Sequence, residues 1–199
     1  MGFLAAGPAG PAPLRQLVIS GAGCNKVGIM TDDGRASVAV LDGAAAADAA
    51  GLLRPSCASA RWVAELVAGR PYGGLDRLLA ASDTAIAGLS WADVEEALAA
   101  HPRIGERAAG ASREAAWSRG EQAGAAGAAV DVQAGLAAGN AEYEARFGHV
   151  FLICAAGRSG AEMLAELRTR LGHCEDAEQQ VVKRELGAIA RLRLARTFR

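Results

Sequence analysis

The sequence predicts an all-α fold: a single-domain helical bundle of about seven to nine helices, preceded by a disordered or irregular N-terminal extension. Three observations predict it. Beyond Asp42, apolar residues recur at steps of three and four along most of the chain, the period of an amphipathic helix. Only one run, Val150-Phe-Leu-Ile-Cys-Ala-Ala156, has the length and branching of a buried strand, and no second run of that quality exists to pair with it. The chain has 199 residues, 51% of them apolar, enough for one core but not for two full domains.

The extension comprises residues 1–37, and the helical domain residues 38–199. From Met1 to about Arg35 the chain is dominated by Gly, Ala and Pro without sustained periodicity, so little fixed structure is expected there. It lacks the charged start and long apolar run of a secretory signal. The polar run Thr31-Asp32-Asp33-Gly34 makes Met30 a candidate start of translation, which intact-mass measurement of the native protein would test.

The first clear helix covers residues 59–68. Trp62 and Leu66, with Val63 and Val67, stand four residues apart on one face, and the helix ends at Gly69 before Pro71. A second runs over residues 74–81. A third opens at Ser90, with Asp93 three positions on as a capping-box variant, and buries Trp91, Val94 and Leu98. It must stop at Ala100 or His101, because Pro102 disfavours helical geometry in the residue before it. Further helices are expected over 113–138, 140–146, 161–171 and 175–196. The first of these carries Gly120, Gly124, Gly127 and Gly135, each costing about 1 kcal/mol against alanine, and so must be broken or packed very closely. The run 150–156 then reads as a buried irregular link or short helix whose backbone groups need partners.

Charge and cysteine usage narrow the function classes. A net charge of −1 shows no basic excess for nucleic acid or an anionic membrane. No segment approaches the ~18 apolar residues that span a bilayer. Cys24, Cys57, Cys154 and Cys174 form neither a C-x-x-C pair nor a disulfide framework, and His101, His149 and His173 are too scattered for a local zinc site. Reduced thiols in a cytoplasmic protein are the simplest reading.

Three arrangements can carry chemistry. His101-Pro102-Arg103-Ile104-Gly105-Glu106 sets an imidazole at a helix end, where proline restricts the chain; a lone histidine in such a place is also often just surface or satisfied core. Ser118-Arg-Gly-Glu-Gln122 satisfies the S-x-x-E capping pattern of a helix start, which accounts for Ser118 and Glu121 but not for Gln122. Adjacent Glu and Gln flanked by glycines also supply an acceptor and an amide suited to a ureido or imidazoline group. In the last helix Val182, Leu186 and Ile189 form a stripe, and Arg193 falls about 20° from Val182 on it at 100° per residue. Its guanidinium therefore needs an internal carboxylate or a bound anion, unless it snorkels outward near the chain end. Arg196, about 40° to the other side, competes for the same role, whereas Arg191 lies about 180° away and should be solvated.

Taken together, His101-Pro-Arg-Ile-Gly105, Ser118-Arg-Gly-Glu-Gln122, Asn140-Ala-Glu-Tyr143, Arg146-Phe-Gly148 through Phe151-Leu-Ile-Cys-Ala-Ala-Gly157, and Leu192-Arg-Leu194 resemble, in order and spacing, the OHCU decarboxylases (2-oxo-4-hydroxy-4-carboxy-5-ureidoimidazoline decarboxylases). Cys57-Ala-Ser-Ala-Arg-Trp62 with Arg70-Pro71 resembles the front of that family, and the resemblance covers roughly residues 38–198.

The resemblance implies an all-α protein, commonly a homodimer, that decarboxylates OHCU to (S)-allantoin in urate catabolism without metal or organic cofactor. It implies that His101 is the catalytic histidine, written as a proton donor, with Pro102 shaping the pocket beside it. Ser118, Glu121 and Gln122 match substrate-contacting positions; by its chemistry, an imidazole titrating at ~6.5 exchanges protons near neutral pH, and Glu121 can fix the His101 tautomer or assist the transfer. The backbone of Phe151, Leu152, Ile153, Cys154 and Ala155 matches a binding segment, and Arg193 matches the active-site arginine. No nucleic-acid or membrane partner is implied. Two rivals share these residues: a helical interaction module of the same pathway, and a cofactor-free lyase or hydrolase acting on a related ureido compound.

Overall fold

The computed structural model describes residues 35–105 and 113–199, and among them ten helices and no strand. In chain order these are α1 (Val38–Gly43), α2 (Ala46–Leu53), α3 (Ala60–Ala68), α4 (Leu75–Ala87), α5 (Trp91–Leu98), α6 (Arg113–Glu121), α7 (Ala123–Ala126), α8 (Val130–Phe147), α9 (Gly160–Arg170) and α10 (Glu175–Thr197). The all-α class holds, with a count slightly above seven to nine. The surplus comes from short α1 and α2 at the front and from the glycine-rich stretch, which breaks at Gln122 and again before Val130. Conversely, the helices expected over 113–138 and 140–146 do not meet at a boundary, because α8 runs unbroken through Gly139 and Asn140. The extension over residues 1–34 lies outside the described residues.

Local signals explain most boundaries. Ser59 accepts from the Trp62 amide at the start of α3. Ser90 and Asp93 form the capping box of α5, and Ser159 and Glu162 form another for α9. Gly148 ends α8 in the left-handed conformation, φ 76°, where a Cβ would be strained. Helix α4 runs to Ala87, six residues beyond the expected end, because Ala85 and Ile86 continue its buried face.

Two apolar clusters build the core. The larger joins α1–α5 to α10 through Leu41, Leu53, Trp62, Leu66, Leu78, Val94, Val182, Leu186 and Leu194. Trp62 buries its ring there and donates its indole N–H to Ser82 Oγ at 3.2 Å, which satisfies a donor that burial would otherwise strand. The smaller unites α8 and α9 with the segment 151–155 through Leu136, Tyr143, Phe151, Ile153, Met163 and Leu167. Here the glycines have their reason. A Cβ on Gly139 would lie 2.5 Å from Leu167 Cδ2, and one on Gly124 only 2.0 Å from the Arg158 carbonyl oxygen. The helical cost of these glycines is offset by close approach of α7 and α8 to α9 and the loop before it.

The two described ends close on each other. Ala36 pairs with Phe198 as an isolated parallel bridge, with Ala36 N donating to Thr197 O at 2.8 Å and Arg199 N to Ala36 O at 3.2 Å. Phe198 is fully buried, which fixes the last turn of α10 against the core. No helix of the described residues is long and apolar enough to cross a membrane.

Candidate active site

Four stretches of chain converge on one recess. The turn after α5 supplies His101, Pro102 and Ile104; the last turn of α6 and the residue after it supply Ser118, Glu121 and Gln122; the extended link supplies Phe151, Leu152, Ile153 and Ala155; and α10 supplies Ile189 and Arg193. Of the residues assigned to the site from the family resemblance, only Cys154 does not line the recess. It packs instead against the larger core, and its amide donates to Glu185 Oε2 at 2.7 Å. Ile104 and Ile189 were not singled out. They are apolar walls, and nothing in their residue type separates wall from core.

The imidazole is held by one nitrogen. His101 Nδ1 lies 2.9 Å from the Ala97 carbonyl, which can only accept, so Nδ1 carries the proton and Nε2 presents a lone pair. Nε2 is shielded from solvent and has no hydrogen-bond partner among the described residues. Burial, with Arg193 nearby, pushes the His101 pKa down from 6.5 to about 4. The tautomer is thus fixed by the backbone of α5 and not, as the sequence suggested, by Glu121.

Glu121 is committed elsewhere. Its Oε2 accepts from Arg193 Nη2 at 2.9 Å, and its Oε1 accepts from Arg193 Nε at 3.3 Å and from Arg196 Nη1 at 2.9 Å. Arg193 is buried and also donates from Nη2 to Ser118 Oγ at 3.3 Å. The helical stripe therefore aims a guanidinium at the core, where an internal carboxylate meets it. Arg191 is exposed and pairs with Asp83.

One reading of the sequence is overturned. Ser118 and Glu121 do not cap a helix start; they sit in the last turn of α6, with both side chains turned to Arg193. The S-x-x-E spacing places them one turn apart on one face, which serves an ion-pair site as well as a cap. Gln122 interrupts the helices, and its Oε1 accepts from Gly105 N at 3.0 Å, tying this corner to the turn that carries His101.

Among the described residues the link 151–155 has no neighbouring strand, and side chains satisfy its backbone. Arg170 Nη1 donates to Leu152 O at 2.7 Å, and its guanidinium carbon lies 4.6 Å from the Phe151 ring centroid. Arg170 is fully buried and is neutralised by Glu178, which accepts from its Nε at 2.8 Å, from the Tyr143 hydroxyl, and lies 2.8 Å from His173 Nδ1. Burial alone would raise the Glu178 carboxyl; the hydrogen bonds from Arg170, Tyr143 and His173 outweigh it and hold the pKa below the usual range. Sequence reasoning missed this cluster. The detectable signal was Arg170 on the buried face of α9, in register with Met163 and Leu167.

The remaining histidines play no part in the recess. His149 packs edge-on to Trp91 and Tyr143, and His173 belongs to the Glu178 cluster. Among the described residues, no three His, Cys, Asp or Glu side chains gather as a metal-ligand set. Cys57, Cys154 and Cys174 are free. The void within the recess is small, about 20 Å³, room for about one water. A larger cleft of about 400 Å³ opens on the far side of Ile104, beside the Arg103–Glu144 ion pair, and has no imidazole.

Comparison with known proteins gives a consistent result. The family model for OHCU decarboxylase matches residues 42–195. The 2-oxo-4-hydroxy-4-carboxy-5-ureidoimidazoline decarboxylase of Amia calva is 35% identical over 144 residues, 70% of this chain and 78% of that protein. The uric acid degradation bifunctional protein TTL of Arabidopsis thaliana is 31% identical over 145 residues, 71% of this chain but 45% of that longer protein, so the chain spans less than half of its length. A crystal structure of an OHCU decarboxylase in the presence of (S)-allantoin superposes with a TM-score of 0.62 at 25% identity, covering 71% of this chain and 93% of that one.

Proposed function

The chain belongs to the OHCU decarboxylase family, and we propose that its recess decarboxylates 2-oxo-4-hydroxy-4-carboxy-5-ureidoimidazoline to (S)-allantoin, as a step of urate degradation. The observation that carries this reading is the meeting of an unpartnered imidazole nitrogen, a buried guanidinium and an extended backbone segment around one void.

The chemistry assigns each group a task. The substrate is a monoanion at neutral pH, and Arg193 is the cation that can orient its carboxylate through a planar, two-pronged grip. When the C–CO₂ bond breaks, its electron pair passes into the adjoining C=N of the ring, so the substrate itself supplies the electron sink. The ring hydroxyl gives up a proton as its carbon becomes a carbonyl, a proton is added at the carbon bearing the ureido group, and the former imine nitrogen takes one proton from solvent, which balances the carboxylate charge lost as neutral carbon dioxide. Carbon dioxide and allantoin then account for every atom of the substrate acid.

His101 Nε2, neutral and unpartnered, is the group able to take that first proton and return it as an acid to the ring. The order reverses the simple proton-donor description: acceptor first, donor second. Delivery from the one side of the recess where Nε2 stands accounts for a single product enantiomer. Gln122 and the backbone of Phe151, Leu152, Ile153 and Ala155 supply amides and carbonyls for the ureido and ring groups. Glu121 holds the plane of Arg193. The family resemblance also supports a homodimer, and the scattered free cysteines a cytoplasmic setting, which light scattering and fractionation would test.

The deciding experiment supplies freshly generated OHCU and follows circular dichroism, since spontaneous decay gives a racemate. Wild-type protein is expected to give (S)-allantoin, and His101→Gln to lose about 10²-fold or more in rate while remaining folded. Undiminished stereospecific turnover in that variant would defeat the assignment.

A further inference from the structure

Arg193 is the cation offered to the substrate carboxylate, yet in the ligand-free recess it is already engaged. Two of its nitrogens reach Glu121, and the two side chains are only 5% and 7% exposed. A second carboxylate arriving beside Glu121 would share one guanidinium in a site with little water, and two like charges so placed repel strongly. Some feature must stabilise Glu121 while Arg193 turns to the substrate.

Arg196 is that feature. It lies three residues beyond Arg193 on α10, about 60° round the helix, so the two guanidinium groups approach one carboxylate from adjacent faces. Arg193 comes from the core, and Arg196 from the solvent side with its side chain 38% exposed. Arg196 Nη1 bonds Glu121 Oε1 at 2.9 Å, a shorter contact than Arg193 Nε makes to the same oxygen at 3.3 Å.

The charge count gives the arrangement a purpose. Among the described residues, two guanidinium groups, one carboxylate and a neutral imidazole leave the cluster one positive charge in excess. A monoanionic substrate completes the balance, and loss of carbon dioxide leaves an uncharged product that restores the excess. We propose that Arg196 is a positioning residue that retains Glu121 when Arg193 engages the substrate carboxylate, so that the recess favours the anionic substrate over the uncharged product. The inference rests on the decarboxylase reading and deepens it by naming what distinguishes substrate from product.

The test compares Arg196→Gln and Arg196→Lys with wild type, using initial rates of (S)-allantoin formation from fresh OHCU and competitive inhibition by added (S)-allantoin. Arg196→Gln is expected to raise KM roughly tenfold at low salt with kcat within about twofold, because a partly exposed charge pair is lost while the proton-transfer groups stay in place. Arg196→Lys should recover most of the loss. The inhibition constant for (S)-allantoin should hardly move, since the product has no carboxylate, and added salt should narrow the KM difference. An unchanged KM in Arg196→Gln, or equal weakening of substrate and product, would overturn the inference alone. Wild-type protein without stereospecific turnover would instead remove the decarboxylase reading, and the inference with it.

Discussion

The order of proton transfer at His101 has a direct kinetic signature. With a pKa of about 4, the fraction of His101 carrying both protons at about pH 7.5 is only about 0.03%, from the 3.5-unit gap. An enzyme that needed the imidazolium first would therefore operate at about three thousandths of a tenth of its capacity, and its kcat/KM would rise about tenfold per pH unit on acidification toward 4. An enzyme that needs the bare Nε2 behaves oppositely: kcat/KM stays level from about pH 8 down to about pH 5 and falls only as His101 protonates near 4. The measurement is stereospecific (S)-allantoin formation by circular dichroism at substrate concentrations below KM, in buffers of constant ionic strength. A level region that ends near 4, absent from the residual rate of His101→Gln, is the expected result. Activity that climbs on acidification, or an acid limb at the ordinary histidine value near 6.5, would refute the argument from the Ala97 hydrogen bond and burial.

Three further outcomes follow from the same structure. The folded-state pKa of His101 lies below its unfolded value, so its contribution to stability is complete above about pH 6.5 and is lost as pH falls toward 4; the loss is about 3 kcal/mol, and urea denaturation at both pH values should show it shrink in His101→Gln. Gly124→Ala should destabilise by about 1–3 kcal/mol because its Cβ would meet a backbone oxygen, whereas Gly51→Ala, which meets nothing within 4 Å in mid-α2, should stabilise by roughly 0.5–1 kcal/mol; thermal melts of the two should shift in opposite directions. Arg193→Lys should lose most activity at unchanged fold, since an ammonium cannot grip the substrate carboxylate through two parallel hydrogen bonds; near-normal kinetics in this variant would contradict the two-pronged grip.

The legible part of the fold was the part governed by period and caps. The four-residue steps of Trp62 and Leu66, the Ser90 cap with Asp93, and the α10 stripe each act over one or two turns, so the local sequence contains the whole signal. The glycines were legible as a problem and not as a solution. Gly124 and Gly135 announced either a break or a close approach, and both occurred: α6 to α8 are interrupted, and Gly124 and Gly139 abut Arg158 and Leu167. Nothing within 113–138 indicates what lies opposite, because the contacting residues come from α9 and the loop before it. The S-x-x-E spacing shows the same limit from the other side, since one face of a helix turn suits a cap and an ion-pair site equally and only Arg193, 72 residues away, decides between them.

The site was legible where residue chemistry is rare and illegible where it is supportive. His101 and Arg193 stand out because an imidazole at a pinned helix end and a guanidinium on an apolar stripe each demand a partner. Arg170 made the same demand on α9 and met it with Glu178 and the Leu152 carbonyl, so the cluster that shapes the recess contributes no atom to its wall. That division has a physical basis. A backbone link without neighbouring strands must have its carbonyls and amides satisfied by side chains, here Arg170 at Leu152 and Glu185 at Cys154, and such donors have to be buried and fully paired to hold one geometry. The reacting groups must do the reverse and keep a valence open, as His101 Nε2 does. One small domain therefore carries two polar clusters of opposite character: a closed one around Glu178 that fixes the link, and an open one around Glu121 left a single negative charge short.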